Sequence, residues 1–220
     1  MILPGDWQSF LGPALVPVDS AGGLEARAES GLQRVEFDRV FVFDLEMSGP
    51  NPRVHEVMDL GGVLVALLEG LPEQASFGAR IRPRRIGNAE PGALRVIGYS
   101  ASAWKAAVEF EPAARRFLDL GRGALAAGWG ITQDMAFLAE MLRTLNEPWP
   151  FAPAVLDIQA LARRTLSDSG RVERFNLGHV ADRLGIGRMG EHGALADAYA
   201  AYDVLVRLVE GVAPTSGPSA

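Results

Sequence analysis

The chain contains no cysteine. Disulfide bridges and thiolate metal sites are therefore excluded, and any metal must be held by oxygen or imidazole. Lysine is nearly missing too: Lys105 is the only one among 21 basic residues, and the formal net charge is −6. This argues against tight, non-specific duplex binding through a broad basic surface. A polyanionic ligand would have to be short or single-stranded, held near one end by metals and a few arginines. No uninterrupted apolar run approaches the about 18 residues of a membrane span. The opening MILPGDWQSF has no basic region followed by a long apolar core, so it does not read as a secretory signal. The absence of cysteine fits a reducing compartment, and the cytoplasm is the expected location.

What is present suits one globular domain. At 220 residues and 48% hydrophobic, the chain can bury a full core. Residues 1–36 read as an N-terminal extension whose Trp7, Phe10, Leu11, Leu15 and Val16 could pack on the domain or on a partner. Residues 37–210 read as the domain, and 211–220 as a disordered tail. Within the domain, Val40–Glu46, Met58–Leu68 and Ser76–Arg82 read as three consecutive strands. Helices are expected at Glu90–Ile97 and Pro112–Leu120, the second with proline in its first turn. A buried strand over Gly123–Trp129, a helix over Thr132–Leu145 and a short strand over Val155–Asp157 follow. Helices at Ile158–Leu166, Leu177–Leu184 (capped by Asn176) and Gly193–Glu210 complete the pattern. A meander followed by β/α crossovers predicts an α/β fold with a mixed five-stranded sheet flanked by helices.

Three short clusters carry the chemistry. Asp44 and Glu46 lie two apart on a strand, so both leave the same face, the one that Val40 and Val42 bury. Two carboxylates continuing a buried apolar stripe are costly unless paired or metal-bound; the alternative is a strand emerging into solvent before Ser48-Gly49-Pro50. Asp134 falls in the first turn of a helix with Thr132 as its expected N-cap. The helix dipole favours an acid there by about 0.3–1 kcal/mol, yet Asp134 shares the face of Leu138, Met141 and Leu145 and so points toward the core. Asp197 continues the face of Ala201, Val204 and Leu208, inside a helix where aspartate has poor propensity. Four carboxylates converging from distant segments would repel one another without cations between them. An all-oxygen set of this kind suits Mg²⁺ or Mn²⁺.

His192 lies five positions before Asp197, about 140° around a helix. The two cannot share a helical face, so His192 belongs to the segment leading into the helix, between Gly190 and Gly193. An imidazole beside hard metals is equipment for phosphodiester hydrolysis. His55, in a proline-rich turn, reads as a surface residue, and His179 as packing or solvent-facing. Asp157, at a strand-to-helix junction, reads as an N-cap. Arg82, Arg84 and Arg85 form a basic loop, either solvated or touching phosphate.

These motifs resemble the DEDDh 3′→5′ exonucleases, which include the proofreading subunit of bacterial DNA polymerase, ribonuclease T and oligoribonuclease. The family's Asp-x-Glu at a strand end matches FVFDLEMSG, its helical Asp followed by an aromatic and Leu matches QDMAFL, and its His-x₄-Asp matches EHGALADA. The match runs in family order from about Phe37 to Glu210. The family's tyrosine variant would place Tyr at position 193, which is Gly193, so the histidine subtype is indicated. The resemblance implies a ribonuclease H-like fold. It implies two Mg²⁺ or Mn²⁺ ions held by Asp44, Glu46, Asp134 and Asp197 around the scissile phosphate, with His192 as general base. Met47, Ser48 and Gly49 match positions that hold the 3′-terminal nucleotide, with Met47 a wedge against a base. Trp129 stands where many relatives carry an amide before the second motif, and would position the nucleotide instead. Asp59, where relatives often carry Glu, reads as structural. The expected substrate is the 3′ end of single-stranded DNA, with RNA trimming as the alternative. A second alternative is an accessory subunit that binds a polymerase or another protein.

Overall fold

In the computed structural model, residues 10–24, 37–166, 175–187 and 193–211 are described. His192, Trp7 and the tail beyond Gly211 lie outside them. The central element is a six-stranded sheet in the order β1-β6-β5-β2-β3-β4. Its strands are β1 (Leu15–Pro17), β2 (Arg39–Met47), β3 (Val57–Ala66), β4 (Glu73–Arg80), β5 (Leu125–Gly128) and β6 (Ala154–Asp157). β2, β3 and β4 form the antiparallel meander, and β5 and β6 add in parallel beside β2. The expected five strands become six because Leu15–Pro17 of the N-terminal extension pairs antiparallel with β6. Leu11 and Leu15 are buried with it. A three-residue strand with one proline carries too little alternation to be visible in sequence.

Six helices of the described residues flank the sheet: α1 (Pro91–Val96), α2 (Phe110–Leu120), α3 (Thr132–Leu145), α4 (Ile158–Leu166), α5 (Leu177–Arg183) and α6 (Ala194–Glu210). The alternation in β2 divides the core. Val40 and Val42 face a cluster with α4, α5 and α6, while Phe41, Phe43 and Leu45 face one with α2 and α3. Both sheet faces are therefore covered, as the continuous apolar character of β2 and β3 requires. On the second face, Phe41 stacks with Phe151 and meets Phe117 edge-on. The expected cap on α5 is present: the Asn176 side chain accepts from the His179 N–H at 2.8 Å. Asp157 caps α4 by accepting from Gln159 and Ala160, and its Oδ1 also takes the Gly130 N–H. Thr132 is not a cap. Ile131 occupies that position without a side-chain bond, and Thr132 is already helical. Among the described residues, no helix is long and apolar enough to cross a membrane.

Candidate metal centre

β2 delivers Asp44 and Glu46 on the Val40/Val42 face, where α6 crosses the sheet. α6 carries Asp197 in its first turn, with Ala201, Val204 and Leu208 buried below it. The result is a cluster in which ligand oxygens of Asp44, Glu46 and Asp197 all lie within 4.8 Å of one another. Two glycines permit the approach. Gly61 of β3 pairs with Asp44 on one side and Gly78 of β4 on the other. A Cβ on Gly61 would stand 2.1 Å from the Ala194 carbonyl carbon and the Leu195 nitrogen, and one on Gly78 would stand 2.8 Å from the Leu195 side chain. The first turn of α6 thus rests directly on bare backbone. No sequence motif marks Gly61, because glycine in a strand usually reads as a weak spot or a bulge.

Asp134 enters from α3, and 8% of its surface is exposed. Its Oδ1 accepts the Leu45 N–H at 3.0 Å. Parallel pairing of β2 with β5 stops at Val42, so that N–H needs a partner from elsewhere. Asp134 is therefore placed against the same strand as Asp44 and Glu46, outside the tightest group of oxygens. Asp59, read from sequence as structural, also belongs to this neighbourhood: it faces Glu46 across β2 and β3, and Arg80 across β3 and β4.

The electrostatics are those of a crowded anionic site. Burial raises the Asp44 carboxyl well above its ordinary range, and Asp134, Glu46, Asp197 and Asp59 raise it further. Glu46 is pushed up to about 7 by burial, then by Asp197, Asp59 and Asp134. Asp134 also reaches about 7 through burial, opposed by its bond from Leu45. Burial raises Asp59 as well, opposed by the Ala194 N–H and by Arg80. All-oxygen donors from facing elements, repelling one another, fit a hard divalent cation.

This has a consequence for stability. A carboxyl whose folded pKa is raised keeps its proton in the folded state after the unfolded chain has released it. Metal-free stability should then fall as pH rises from about 4.5 through about 7, the window set by Glu46 and Asp134. Thermal unfolding in EDTA is expected to show a lower Tm at pH 8 than at pH 5, with Mn²⁺ restoring it at pH 8. A Tm that ignores both pH and Mn²⁺ would remove the electrostatic account.

Beside Glu46 opens a cavity of about 430 Å³, lined by Met47, Gly49, Pro50, Glu90, Ile97 and Gln133 among others. Between Glu46 and Met47 the β2–β3 register shifts, and this bulge re-aims the chain into the cavity wall. Ser48 is buried and clips the loop: its N–H donates to Glu56 O, its Oγ accepts the Glu56 N–H, and its carbonyl accepts the Glu90 N–H. Met47 and Gly49 thus line the cavity and Ser48 shapes it from beneath. Trp129 is half-buried against the α4–α6 cluster instead. Sequence reading missed the α1 wall and Gln133, whose amide donates to Pro50 O at 2.7 Å. It also misread His55. That ring is 8% exposed, its Nδ1 accepts the Asn51 N–H at 2.9 Å, and it lies flat where a Gly49 side chain would be. Of the basic loop, Arg82 and Arg84 both pair with Glu109, at 2.7 and 3.0 Å, and Arg85 approaches Glu56 at 3.8 Å. Two carboxylates thus engage all three guanidinium groups, which favours the solvated reading over phosphate contact.

A model of the RNase T exonuclease family matches residues 41–205. The chain belongs to this exonuclease family. Its fold is that of several solved nucleases. E. coli exonuclease I in complex with a dT13 oligonucleotide superposes with TM-score 0.65 at 19% identity, over 77% of this chain and 41% of that one. A product-bound exonuclease I gives 0.66 at 18%, over 80% and 44%. The nuclease domain of 3′hExo, a DEDDh member bound to rAMP, gives 0.62 at 18%, over 80% and 94%. The chain therefore spans less than half the length of the exonuclease I structures and nearly all of the 3′hExo nuclease domain. A comparison with curated proteins finds no match.

Proposed function

We propose that this exonuclease-family chain is a metal-dependent 3′→5′ exonuclease that releases nucleoside 5′-monophosphates from single-stranded nucleic acid. The carrying observation is the convergence of Asp44, Glu46 and Asp197, of which Glu46 also lines a nucleotide-sized cavity. Asp44, Glu46 and Asp197, with Asp134 behind them, would hold two Mg²⁺ or Mn²⁺ ions. When bound, the ions would offset the charge of the phosphate and of the four carboxylates and favour attack by water. Met47 and the α1 wall, with exposed Val96 at its rim, would receive the terminal base, and Gly49 would let the backbone come close to the sugar. Trp129, packed against the α4–α6 cluster and outside the cavity lining, would act on the nucleotide only from the family position before the second motif. His192 takes a proton from the attacking water; the water oxygen bonds to phosphorus, the P–O3′ bond breaks, and the departing 3′-oxygen is protonated by solvent.

The domain would run from 37 to 210. Single-stranded DNA is the favoured substrate, for the third motif HGALADAYAAYDVL resembles that of polymerase proofreading subunits. The net charge of −6 fits a short strand gripped at its end by metals. RNA stays as the second reading, since the 3′hExo domain was solved with rAMP. A protein partner is a further reading, since an exonuclease I/SSB-Ct complex is known.

A Mn²⁺/Mg²⁺ assay on 5′-labelled single-stranded DNA and matched RNA tests this. Shortening from the 3′ end that EDTA abolishes is expected, faster on DNA. No cleavage of either strand by folded, metal-binding protein would sink the proposal. His192→Ala should lower kcat by about 10²–10⁴-fold while Mn²⁺ affinity measured by calorimetry stays within about twofold. Near-normal turnover would remove His192 as the base.

A further inference from the structure

Among the described residues, α6 begins without a side-chain cap from its own segment. Gly193 occupies the N-cap position and makes no side-chain bond. The first helical N–H, that of Ala194, instead reaches Asp59 Oδ2 of β3 at 3.4 Å, from a residue 135 positions away. A side chain on Gly193 would also stand 3.4 Å from that oxygen. Asp59 is itself held. Arg80 lies opposite it in β4 and attracts it. The Arg80 guanidinium in turn sits 4.7 Å over the Trp104 ring and donates to Ala103 O. The strand supplies the cap, the cap holds the start of the helix, and the start of the helix carries Asp197 and follows His192 in sequence.

We infer that Asp59 is a positioning residue that caps α6 from across the sheet and sets where Asp197 meets Asp44 and Glu46. It does not act as a ligand. This rests on the exonuclease reading for its consequence in catalysis, but not for the cap itself. The burial of an acid beside Asp44 and Glu46 needs a reason, and a helix start whose N-cap is a glycine without a side-chain bond supplies one.

The test compares Asp59→Asn, whose amide oxygen can still accept from Ala194, with Asp59→Ala, which cannot. Amide exchange at residues 194–197 is read in metal-free protein, Mn²⁺ binding by calorimetry, and kcat and KM on labelled oligonucleotide. Asp59→Ala is expected to exchange about tenfold faster at the start of α6. It should bind Mn²⁺ about tenfold more weakly and lose kcat with KM unchanged, whereas Asp59→Asn stays within about twofold throughout. Adding Gly193→Ser to Asp59→Ala supplies a cap from the helix's own chain and should restore slow exchange. Equal loss in Asp59→Asn and Asp59→Ala would make the charge or a metal bond the role and overturn the inference. So would unchanged exchange in Asp59→Ala. If Asp59→Ala does not fold, folding of the double variant supports the cap and its failure to fold overturns it. A wild-type protein without nuclease activity but with these exchange differences would sink the exonuclease reading alone.

Discussion

Replacing Asp44 by Asn is expected to abolish nuclease activity, by about a thousandfold or more, and at the same time to stabilise the metal-free protein. The two effects have one cause. Asp44 sits at the centre of the acidic group, and burial together with Asp134, Glu46, Asp197 and Asp59 disfavours its ionised form. Removing its charge takes away both an oxygen that would hold metal and one of the mutually repelling charges of the site. For a chain of this length, relief on the order of 1–2 kcal/mol would raise the metal-free Tm at pH 8 by about 3–6 °C. The gain from added Mn²⁺ should shrink correspondingly. Parallel thermal scans of wild type and Asp44→Asn, with EDTA and with Mn²⁺, read both effects. A variant that is less stable than wild type in EDTA would mean that Asp44 is held by a structural bond rather than strained by its neighbours. Retained activity would remove it from the metal centre.

Replacing Gly61 by Ala should be nearly as damaging, although Gly61 carries no functional group. The added methyl would meet backbone atoms of Ala194 and Leu195 at 2.1 Å, and backbone cannot rotate out of the way. The start of α6 must then lift by roughly 1 Å, and a displacement of that size at a reacting group costs about 10²-fold in rate. Overpacking of this kind also destabilises by about 1–3 kcal/mol. Gly78→Ala should be milder, because its methyl would meet the flexible Leu195 side chain at 2.8 Å. Gly87→Ala, with open space around it, serves as the control. The ordering of kcat, with Gly61→Ala lowest and Gly87→Ala unchanged, is the measured outcome. Normal activity in Gly61→Ala would show that α6 can approach the sheet in some other register.

Much of this was legible in the order of residues because local rules govern it. The alternation of Val40 and Val42 against Phe41 and Phe43 assigned β2 two buried faces and put Asp44 and Glu46 on one of them. The stripe of Leu138, Met141 and Leu145 aimed Asp134 inward, and that of Ala201, Val204 and Leu208 did the same for Asp197. The α3 and α4 boundaries, Thr132–Leu145 and Ile158–Leu166, were readable to the residue because the apolar period marks both helices and Asp157 caps the second. Errors arose where a partner far along the chain decides the outcome. His55 looked exposed, yet the empty space over Gly49 admits its ring. Leu15–Pro17 became a strand only because β6 leaves an edge to pair with.

Side-chain period and hydrophobic patterning act over a few residues, and so the sequence by itself determined the kinds of element, the faces they bury and the four inward-facing acids. Distances between segments follow from packing. Only the tertiary structure decided that α6 rests on Gly61 and Gly78, that three of the acids bring oxygens within 4.8 Å while Asp134 braces the strand beside them, and that Asp59 serves a helix begun 135 residues later. A glycine or an aspartate carries no local record of what will approach it, because the approaching atoms belong to another part of the chain and meet it only when the sheet and its helices close on a common core.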